Sequence, residues 1–393
     1  MYHWHRALWA SAMQIKIYKP AAFWFLAALV VRLTLCLGAH YFSISIGRGG
    51  FFPLESGADD RFYWQASLAL LSGHSVPNLP NPYPYFLAFL FRLTGPSLLI
   101  GKLANVILGA VTVSAGVLIA RELSSSRCSF RSLRHPANLT GLFLSFYPAL
   151  AFYSGQLLKD TLVVFFGILS LLFYVKALRK GGVRLWLGGG LCTLALYAFR
   201  PYAAFALLFG LGIYLFVNWK TRLSYKLLTL ATFLFIAAFV PYFEGHGLFG
   251  IQYIREFASL EYTAEIREKL YSHGGSAVGI SFQSGNLVEF IGSYFYSFLT
   301  AAFGPLPWQL KGMNVLIALP EAMLMWLFIP IWLKSLKGIL STRSGPEKLL
   351  IYLSWILLGV IALFSDNIGA DVRLRLLPWS SFLIFAGVYL GRK

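Results

Sequence analysis

Charged side chains are scarce in this sequence, and acidic ones are the scarcest. Asp, Glu, Lys and Arg make up 12% of the 393 residues, and 15 acidic residues stand against 33 basic ones. Soluble globular domains carry about 25% charged residues, so this chain has too few charges to cover a surface in contact with water. The shortage argues against an ordinary soluble protein and favours a surface that faces lipid.

Cysteine is also scarce, and its placement excludes a metal or disulfide framework. The chain has three cysteines, Cys36, Cys128 and Cys192. Two lie within apolar runs and one in a basic loop, at spacings that match neither a zinc site nor a disulfide scaffold. Internal repeats and low-complexity tracts are likewise missing from the sequence.

Long apolar runs are what the chain has in place of charge. Hydrophobic residues make up 58% of the sequence, and runs of about 20 apolar residues recur along it. We therefore predict an all-α polytopic membrane protein, 1–393, forming a single membrane domain with about ten transmembrane helices. The predicted spans lie at 21–43, 96–120, 139–155, 160–178, 184–199, 202–218, 226–243, 313–333, 349–365 and 377–391.

The basic residues fall in every second loop, which predicts the orientation of the chain. They cluster at the N-terminal stretch, in the loops near 121–134, 179–184, 220–226 and 334–348, and at the end of the sequence. Loops rich in Lys and Arg face the cytoplasm, so both termini are expected inside. The formal net charge of +18 is then a topology signal, and nucleic acid is not an expected partner.

Two long segments are then expected on the outer side, at 44–95 and 244–312. Part of the second, 286–308, is apolar and aromatic, and we predict an interfacial or re-entrant helix there because counting it as a span would invert the later loops. Most acidic residues fall on this same side. Large outer loops over a helix bundle suggest a roofed cavity at the membrane surface.

The first outer segment predicts a short helix that presents a carboxylate. Ser56 can cap it, Asp59 and Asp60 lie in its first turn, and Gly73 ends it. Asp59 and Tyr63 share one face because they are four residues apart. The alternative interpretation is that both acids merely favour a helix N-terminus.

Three further outer turns supply charge. Lys159 and Asp160 lie side by side before the fourth span, and Arg200 precedes Pro201 between the fifth and sixth. Arg373 and Arg375 lie in the last outer loop. Each has a structural interpretation as a helix start, a snorkelling anchor or a contact to lipid phosphates. Yet ionisable residues at span boundaries are functional candidates, and Arg suits phosphate binding.

Together these turns are typical of one chemistry. A carboxylate can deprotonate an acceptor hydroxyl, while Arg side chains or a metal stabilise the charge that develops on a phosphate leaving group. The set therefore predicts glycosyl or similar transfer from a lipid-linked phosphate.

Several elements, in the right order along the chain, resemble the GT-C superfamily of membrane glycosyltransferases. The chain is most similar to the bacterial branch of protein O-mannosyltransferases and lipid A aminoarabinose transferases. The resemblance rests on DDRFYWQASLALLSGH, NPYPYFLAFLFRLTGPS, YPALAFYSGQLLKDTLVVFF and DVRLRLLPW. In contrast to larger members of that family, no soluble C-terminal domain is expected in this sequence, and the long middle loop has no counterpart that we can map.

The resemblance implies an inverting hexosyl- or pentosyltransferase with a polyprenyl-phosphate-linked sugar as donor. It implies Asp59 as the catalytic base, matched through Tyr63, with Asp60 as the runner-up. Asp160 falls where family members carry an acid that helps to bind a metal or to position the acceptor. The cofactor is open, and a divalent metal is one option. His74, His246 and His273 are expected on the outer side and could ligate a metal together with a carboxylate, but scattered single histidines are more often surface residues.

Rival functions come from other classes. A polymerase or ligase of the O-antigen type also uses outer-loop Arg residues and lipid-linked sugars. A transporter or flippase of lipid-linked sugars would have many spans, but with repeated halves and charges at midplane. A non-catalytic scaffold leaves the acids and arginines unexplained. We favour the transferase, with a lipid, glycan or protein acceptor.

Overall fold

The protein is all-helical wherever the computed structural model describes it. The structure describes residues 19–53, 58–124, 132–218, 222–232, 287–310, 313–316, 318–340 and 345–392, together with positions 234, 267, 277–280 and 282. Within these ranges the only extended pairing is an isolated bridge between Ala277 and Asn367. The predicted fold class, all-α, is confirmed for this part of the chain.

Among the described residues before 218, nine helices form this part of the bundle. They are α1 (Lys19–Ser45), α2 (Ala58–Leu71), α3 (Tyr83–Thr94), α4 (Leu98–Leu123), α5 (Pro136–Phe146), α6 (Pro148–Tyr153), α7 (Asp160–Lys180), α8 (Val183–Phe199) and α9 (Pro201–Val217). Residues 223–232 are also helical.

Six named helices follow residue 286. They are α10 (Leu287–Phe303), α11 (Met313–Leu316), α12 (Leu319–Leu340), α13 (Lys348–Phe364), α14 (Ile368–Leu374) and α15 (Leu376–Gly391), with a 3₁₀ turn at Pro307–Gln309. The structure does not describe most of 233–286, where the end of the predicted span 226–243 and most of the long outer segment lie.

Several helices are long and apolar enough to cross a membrane. Among the described residues four pass on length and hydropathy, namely α1, α4, α7 and Leu319–Lys337 of α12. The pair α14 and α15, bent by 55°, would make a fifth. The helices α8, α9 and α13 are apolar but shorter. The predicted span at 313–333 begins later than expected, at Leu319.

The helix α1 has the surface of a membrane helix. Its buried residues follow a spacing of three or four, from Ala21 through Ala28 and Cys36 to Ser43, and are mostly small or polar. The opposite side exposes large apolar side chains, including Phe23 at 61% and Val30 at 63%. Such a pattern is unfavourable in water but suits contact with lipid.

The helix α4 lies at the centre of this half and packs against α1, α5 and α7. Its glycines allow close approach: a Cβ atom at Gly101 would lie 2.5 Å from the side chain of Leu157, and one at Gly109 would lie 2.8 Å from Ser154. The turn that leads into α7 can therefore lie directly against α4.

The predicted span at 139–155 is broken in two. Pro148 has no N–H, and the preceding Tyr147 is extended at ψ 112°, as expected before proline. The break frees carbonyl groups at the end of α5. Arg32, fully buried near the middle of α1, donates to the carbonyl oxygens of Leu144 at 3.1 Å and Ser145 at 3.5 Å.

The predicted helix of the first outer segment is confirmed as α2. Asp59 and Asp60 lie in its first turn, and Gly73 follows its end with a left-handed φ of 82°, the conformation expected of a terminating glycine. The predicted cap, Ser56, lies outside the described residues.

The predicted helix within 286–308 is also present, as α10. It lies along α13, where the hydroxyl groups of Ser297 and Tyr294 donate to the carbonyl oxygens of Ala362 at 2.7 Å and Gly359 at 3.1 Å. Its interfacial or re-entrant placement stays a prediction.

Candidate active site

Four side chains from four separate segments form a continuous ion-paired group, which we name the charged cluster: Asp59, Asp160, Arg200 and Arg373. Arg200 places an Nη atom 2.6 Å from one carboxylate oxygen of Asp160. Arg373 binds the other oxygen of Asp160 through Nε at 3.1 Å and Nη2 at 2.9 Å. Its Nη1 lies 2.7 Å from Asp59. Arg373 therefore bridges the two carboxylates.

Side-chain exposure increases from Asp160 through Arg373 to Asp59, and Arg200 at the other end of the cluster is also buried. The side chain of Asp160 is 1% exposed and that of Arg200 is 8% exposed. Arg373 is 23% exposed and Asp59 is 48% exposed. The cluster thus extends from a dry interior, where charge interactions are strong, to an accessible carboxylate that a ligand can reach.

Local backbone structure explains how the buried pair forms. Asp160 is the first residue of α7, a position that favours a negative charge. Arg200 occupies the junction between α8 and α9, with φ −155°, and Pro201 starts the next helix. Because α7 packs on α8, the Arg200 side chain meets Asp160 across the helix ends.

The bend between α14 and α15 places Arg373. Asn367 caps α14, accepting a hydrogen bond from the amide of Ala370 at 3.2 Å. The helix ends at Leu374, and the chain turns through 55° at Arg375 into α15. This short helix lies at the end of the bundle and carries Arg373 toward both carboxylates.

Two predicted residues border the cluster. Lys159 is half-buried, and burial together with nearby Arg200 lowers the pKa of its ammonium group to about 8. Tyr63 is 4% exposed, and burial, with Asp59 and Asp160 nearby, raises the pKa of its phenol above the ordinary value. The phenol keeps its proton and accepts a hydrogen bond from Asn81 at 3.1 Å.

The turn that presents Lys159 and Asp160 is held by α4. Asn105, fully buried, donates to the carbonyl oxygens of Gln156 at 2.7 Å and Leu158 at 2.9 Å. Lys102, one turn earlier and also fully buried, donates to the side-chain oxygen of Gln156 at 3.3 Å. Asn105 is therefore a positioning residue for the cluster.

Asn105 also connects this turn to α2. Its amide donates to the hydroxyl of Tyr83 at 2.9 Å, and the ring of Tyr83 contacts that of Tyr63 edge-on at 5.0 Å. The same packed layer therefore supports both the helix that carries Asp59 and the turn that carries Asp160.

Two predicted site residues do not join the cluster. Asp60 is buried and accepts hydrogen bonds from the amides of Phe52 at 2.5 Å and Arg61 at 2.8 Å. Burial raises the pKa of this carboxyl, against the effect of those two amides. Asp60 thus fixes the entry to α2.

Arg375 points into the bundle, away from Arg373. It is fully buried and pairs with Glu321 at 3.0 Å, which also accepts a hydrogen bond from Tyr147 at 2.8 Å. The guanidinium donates further to the carbonyl oxygen of Gly304 at 2.6 Å. Arg375 thus ties α12, α10 and the α5–α6 junction to the bend.

The described residues do not offer a metal site. No group of three or more His, Cys, Asp or Glu side chains among them could hold a metal ion. The carboxylates of the cluster are engaged by guanidinium groups, and His74 contacts Ser72 at 2.9 Å. His246 and His273 lie outside the described residues.

Sequence reasoning missed the residues that support the cluster. Arg32, Lys102 and Asn105 are polar side chains within apolar runs, and a lone ionisable residue in a span is itself a signal. Glu321 falls within the predicted span at 313–333, and no sequence pattern gives it a role. Its pairing with Arg375 joins residues far apart in the chain, which local patterns do not reveal.

The cluster with Lys159 is suited to bind an anion. Among the described residues it combines three cationic and two anionic side chains, which leaves one positive charge in excess. Lys159 faces repulsion from Arg200 and Arg373, and a bound anion would relieve it. Two Arg side chains next to an accessible carboxylate match a phosphate beside a proton acceptor.

Comparison with known proteins gives no family: no family model matches this chain, and no curated protein matches it either.

Proposed function

We propose that this protein is an integral membrane glycosyltransferase that moves a sugar from a polyprenyl-phosphate donor to a hydroxyl of a lipid, glycan or protein acceptor. The observation that carries the proposal is Arg373, which bridges a buried carboxylate and an accessible one. The accessible Asp59 is the base, and Arg200, Arg373 and Lys159 hold the phosphate.

The reaction assigns a role to each charge. Asp59 accepts the proton of the acceptor hydroxyl as its oxygen attacks the anomeric carbon. The bond between that carbon and the phosphate oxygen breaks, and both bonding electrons leave with the phosphate. Arg373 and Lys159 stabilise the charge that develops on this leaving group. Attack from the face opposite the phosphate inverts the anomeric centre.

Asp160 acts through the arginines. Its two oxygens bind Arg200 and Arg373 separately, so the carboxylate holds both guanidinium groups in place while leaving other N–H groups for a ligand. Because the site is nearly dry and the guanidinium groups are already in place, they need not reorganise when negative charge develops on the leaving phosphate.

An apolar recess suits the lipid part of such a donor. It has a volume of about 320 Å³, lies between α10 and α12, and is lined by apolar side chains that include Leu299, Phe303, Trp326 and Trp332. Phe303 precedes Gly304, whose carbonyl binds Arg375 at the bend. A segment of an isoprenoid chain would bury its apolar surface there.

The proposal includes the predicted topology of about ten spans, with both termini in the cytoplasm and the cluster on the outer side. The two ends of α7 support it. Asp160 begins this helix in the cluster, whereas Lys180 at its other end pairs with Glu122 at 2.6 Å, within the basic loops expected inside.

Binding of polyprenyl phosphate tests the proposed phosphate site directly. Detergent-purified wild type should bind it far more tightly than the matched polyprenol, which lacks the phosphate. Arg373→Gln should remove that difference. Arg61→Gln is the control, because Arg61 lies on α2 but contacts the ring of Phe51 at 5.5 Å. This variant should bind both lipids as wild type does. Equal binding of the two lipids by wild type would refute the phosphate site.

A further inference from the structure

One arginine from the long outer segment is buried in the membrane domain. Arg267 is 2% exposed and donates to the carbonyl oxygens of Ile280 at 2.9 Å and Ala362 at 2.8 Å. It also donates to the hydroxyl of Ser297 at 3.0 Å and the carboxylate of Asp366 at 3.0 Å. The side chain therefore joins α10, the end of α13 and the start of the last outer loop.

Asp366 is held from two directions. Besides Arg267, its carboxylate accepts hydrogen bonds from the amides of Gly279 at 3.0 Å and Ile280 at 3.1 Å. Its carbonyl oxygen accepts from the amide of Val278 at 2.9 Å. The backbone on both sides of Asp366 is thereby fixed against the bundle.

This anchored point is the beginning of α14. Asn367, next in the chain, caps the helix through the amide of Ala370. The helix is seven residues long and too short to be stable alone, so its orientation depends on its ends. Arg375 and Glu321 fix the far end, and Arg267 with Asp366 fixes the near one.

We infer that Arg267 is a positioning residue that sets the place of Arg373 in the charged cluster, acting through Asp366 and α14. Arg267 is paired to Asp366, which directly precedes Asn367, the cap of the helix that carries Arg373. Arg267 thus contributes to the site without itself lying in the charged cluster. The binding measurement with polyprenyl phosphate, described below, rests on the proposed function, whereas the exchange measurement does not.

The effect on α14 is measured by hydrogen–deuterium exchange of the full-length protein in lipid nanodiscs. The amides to follow are those of Asp371, which donates to the carbonyl oxygen of Asn367, and Arg375, which donates to that of Asp371. In Arg267→Gln these amides should exchange at least about tenfold faster, because the start of α14 opens locally. The amides of α4 should be unchanged. Arg48→Gln is the control, since that arginine donates to the carbonyl of Pro53 at 2.8 Å.

A double-mutant cycle then tests whether Arg267 acts through Arg373. Affinity for polyprenyl phosphate is measured in wild type, Arg267→Gln, Arg373→Gln and the double variant. We expect Arg267→Gln to weaken binding about tenfold in the wild-type background and to have no further effect once Arg373 is gone. A general structural defect would weaken binding equally in both backgrounds.

The outcomes separate this inference from the proposed function. Unchanged exchange in α14, or equal losses of affinity in both backgrounds, would overturn the role of Arg267. Wild type that does not bind the phosphate lipid would refute the proposed function, while faster exchange confined to α14 would still uphold the positioning of Arg373. If Arg267→Gln does not fold, Asp366→Asn carries the same expectations, because it removes the charge while keeping an acceptor oxygen.

Discussion

Arg373 is shared by two carboxylates, and that geometry requires a guanidinium group. Its Nε and Nη2 face Asp160 while Nη1 faces Asp59. An ammonium group is a single charged point and cannot present separate N–H groups in these two directions.

Arg373→Lys should therefore behave as a loss of function despite keeping the charge. We expect affinity for polyprenyl phosphate to fall about tenfold or more, as bidentate contacts are lost. Arg61→Lys, an equivalent change on the neighbouring helix, should leave affinity unchanged. Wild-type affinity in Arg373→Lys would show that only its charge matters.

The side chain of Lys159 should make the affinity for polyprenyl phosphate depend on pH. The pKa of its side chain is about 8, below the ordinary 10.5, because burial and the adjacent Arg200 disfavour the ammonium form. Phosphate monoesters have a second pKa of about 6, so the ligand stays dianionic above pH 7. Affinity for polyprenyl phosphate should then fall as pH rises through about 8, since Lys159 loses its charge.

Lys159 should have the opposite effect on the free energy of unfolding, which should rise with pH where affinity falls. The unfolded chain holds the Lys159 proton up to about pH 10.5 and the folded one only to about pH 8, so this lysine adds to stability as pH rises between these values. Titrations of binding and of melting temperature on wild type and Lys159→Arg measure both effects. A wild-type affinity that is flat from pH 7 to 9.5 would contradict this assignment.

At the scale of single residues, sequence patterns selected several side chains that the structure brings together, but they did not predict which side chain pairs with which. Asp59, Lys159, Asp160, Arg200 and Arg373 could be chosen because each is ionisable and follows or precedes an apolar run. The same rule selected Arg375, which points into the bundle. The spacing of Arg373 and Arg375 would place both on one face of an extended chain, but the structure has a helix end and a bend there.

At the scale of helices, the network of Tyr147, Glu321 and Arg375 joins three elements that are remote in sequence. All three side chains are buried, with Arg375 fully so and Glu321 at 3%. Removing one member of a buried ion pair leaves the other without compensation, at a cost of about 3–5 kcal/mol.

Arg375→Met should accordingly lower the melting temperature strongly, because Glu321 loses its cationic partner in a dry environment. Adding Glu321→Gln should restore most of the loss, since glutamine is neutral and still accepts from Tyr147. Thermal unfolding of both variants in nanodiscs measures the difference. A double variant no more stable than Arg375→Met would show that the pair itself fixes the bend.

Helix positions were predictable where an apolar run is uninterrupted. The runs at 21–43, 96–120 and 160–178 became α1, α4 and α7 because nothing within them breaks a helix. The run at 139–155 contains Pro148, whose effect on the preceding residue divides it into α5 and α6. The hydrogen bond from Trp326 of α12 to the carbonyl oxygen of Phe303 joins elements that local sequence patterns do not connect.

At the scale of the whole molecule, the proposed function requires the charged cluster to face the outer side of the membrane. Gln65 is an exposed residue of α2, near the cluster, and Leu133 is 70% exposed in a basic loop. In a Cys128→Ser background, Gln65→Cys should react with an impermeant maleimide on intact cells. Leu133→Cys should react only after permeabilisation. The reverse pattern would place the cluster in the cytoplasm.

The most direct test of the central claim is transfer itself. Purified wild type, Asp59→Asn and the control Arg61→Gln would be reconstituted with a panel of polyprenyl-phosphate sugars, and release of free polyprenyl phosphate would be measured. We predict turnover by wild type and Arg61→Gln with at least one donor, and a loss of about 100- to 10,000-fold in Asp59→Asn with its melting temperature preserved. Full activity of Asp59→Asn, or no release by wild type from any donor, would contradict the account.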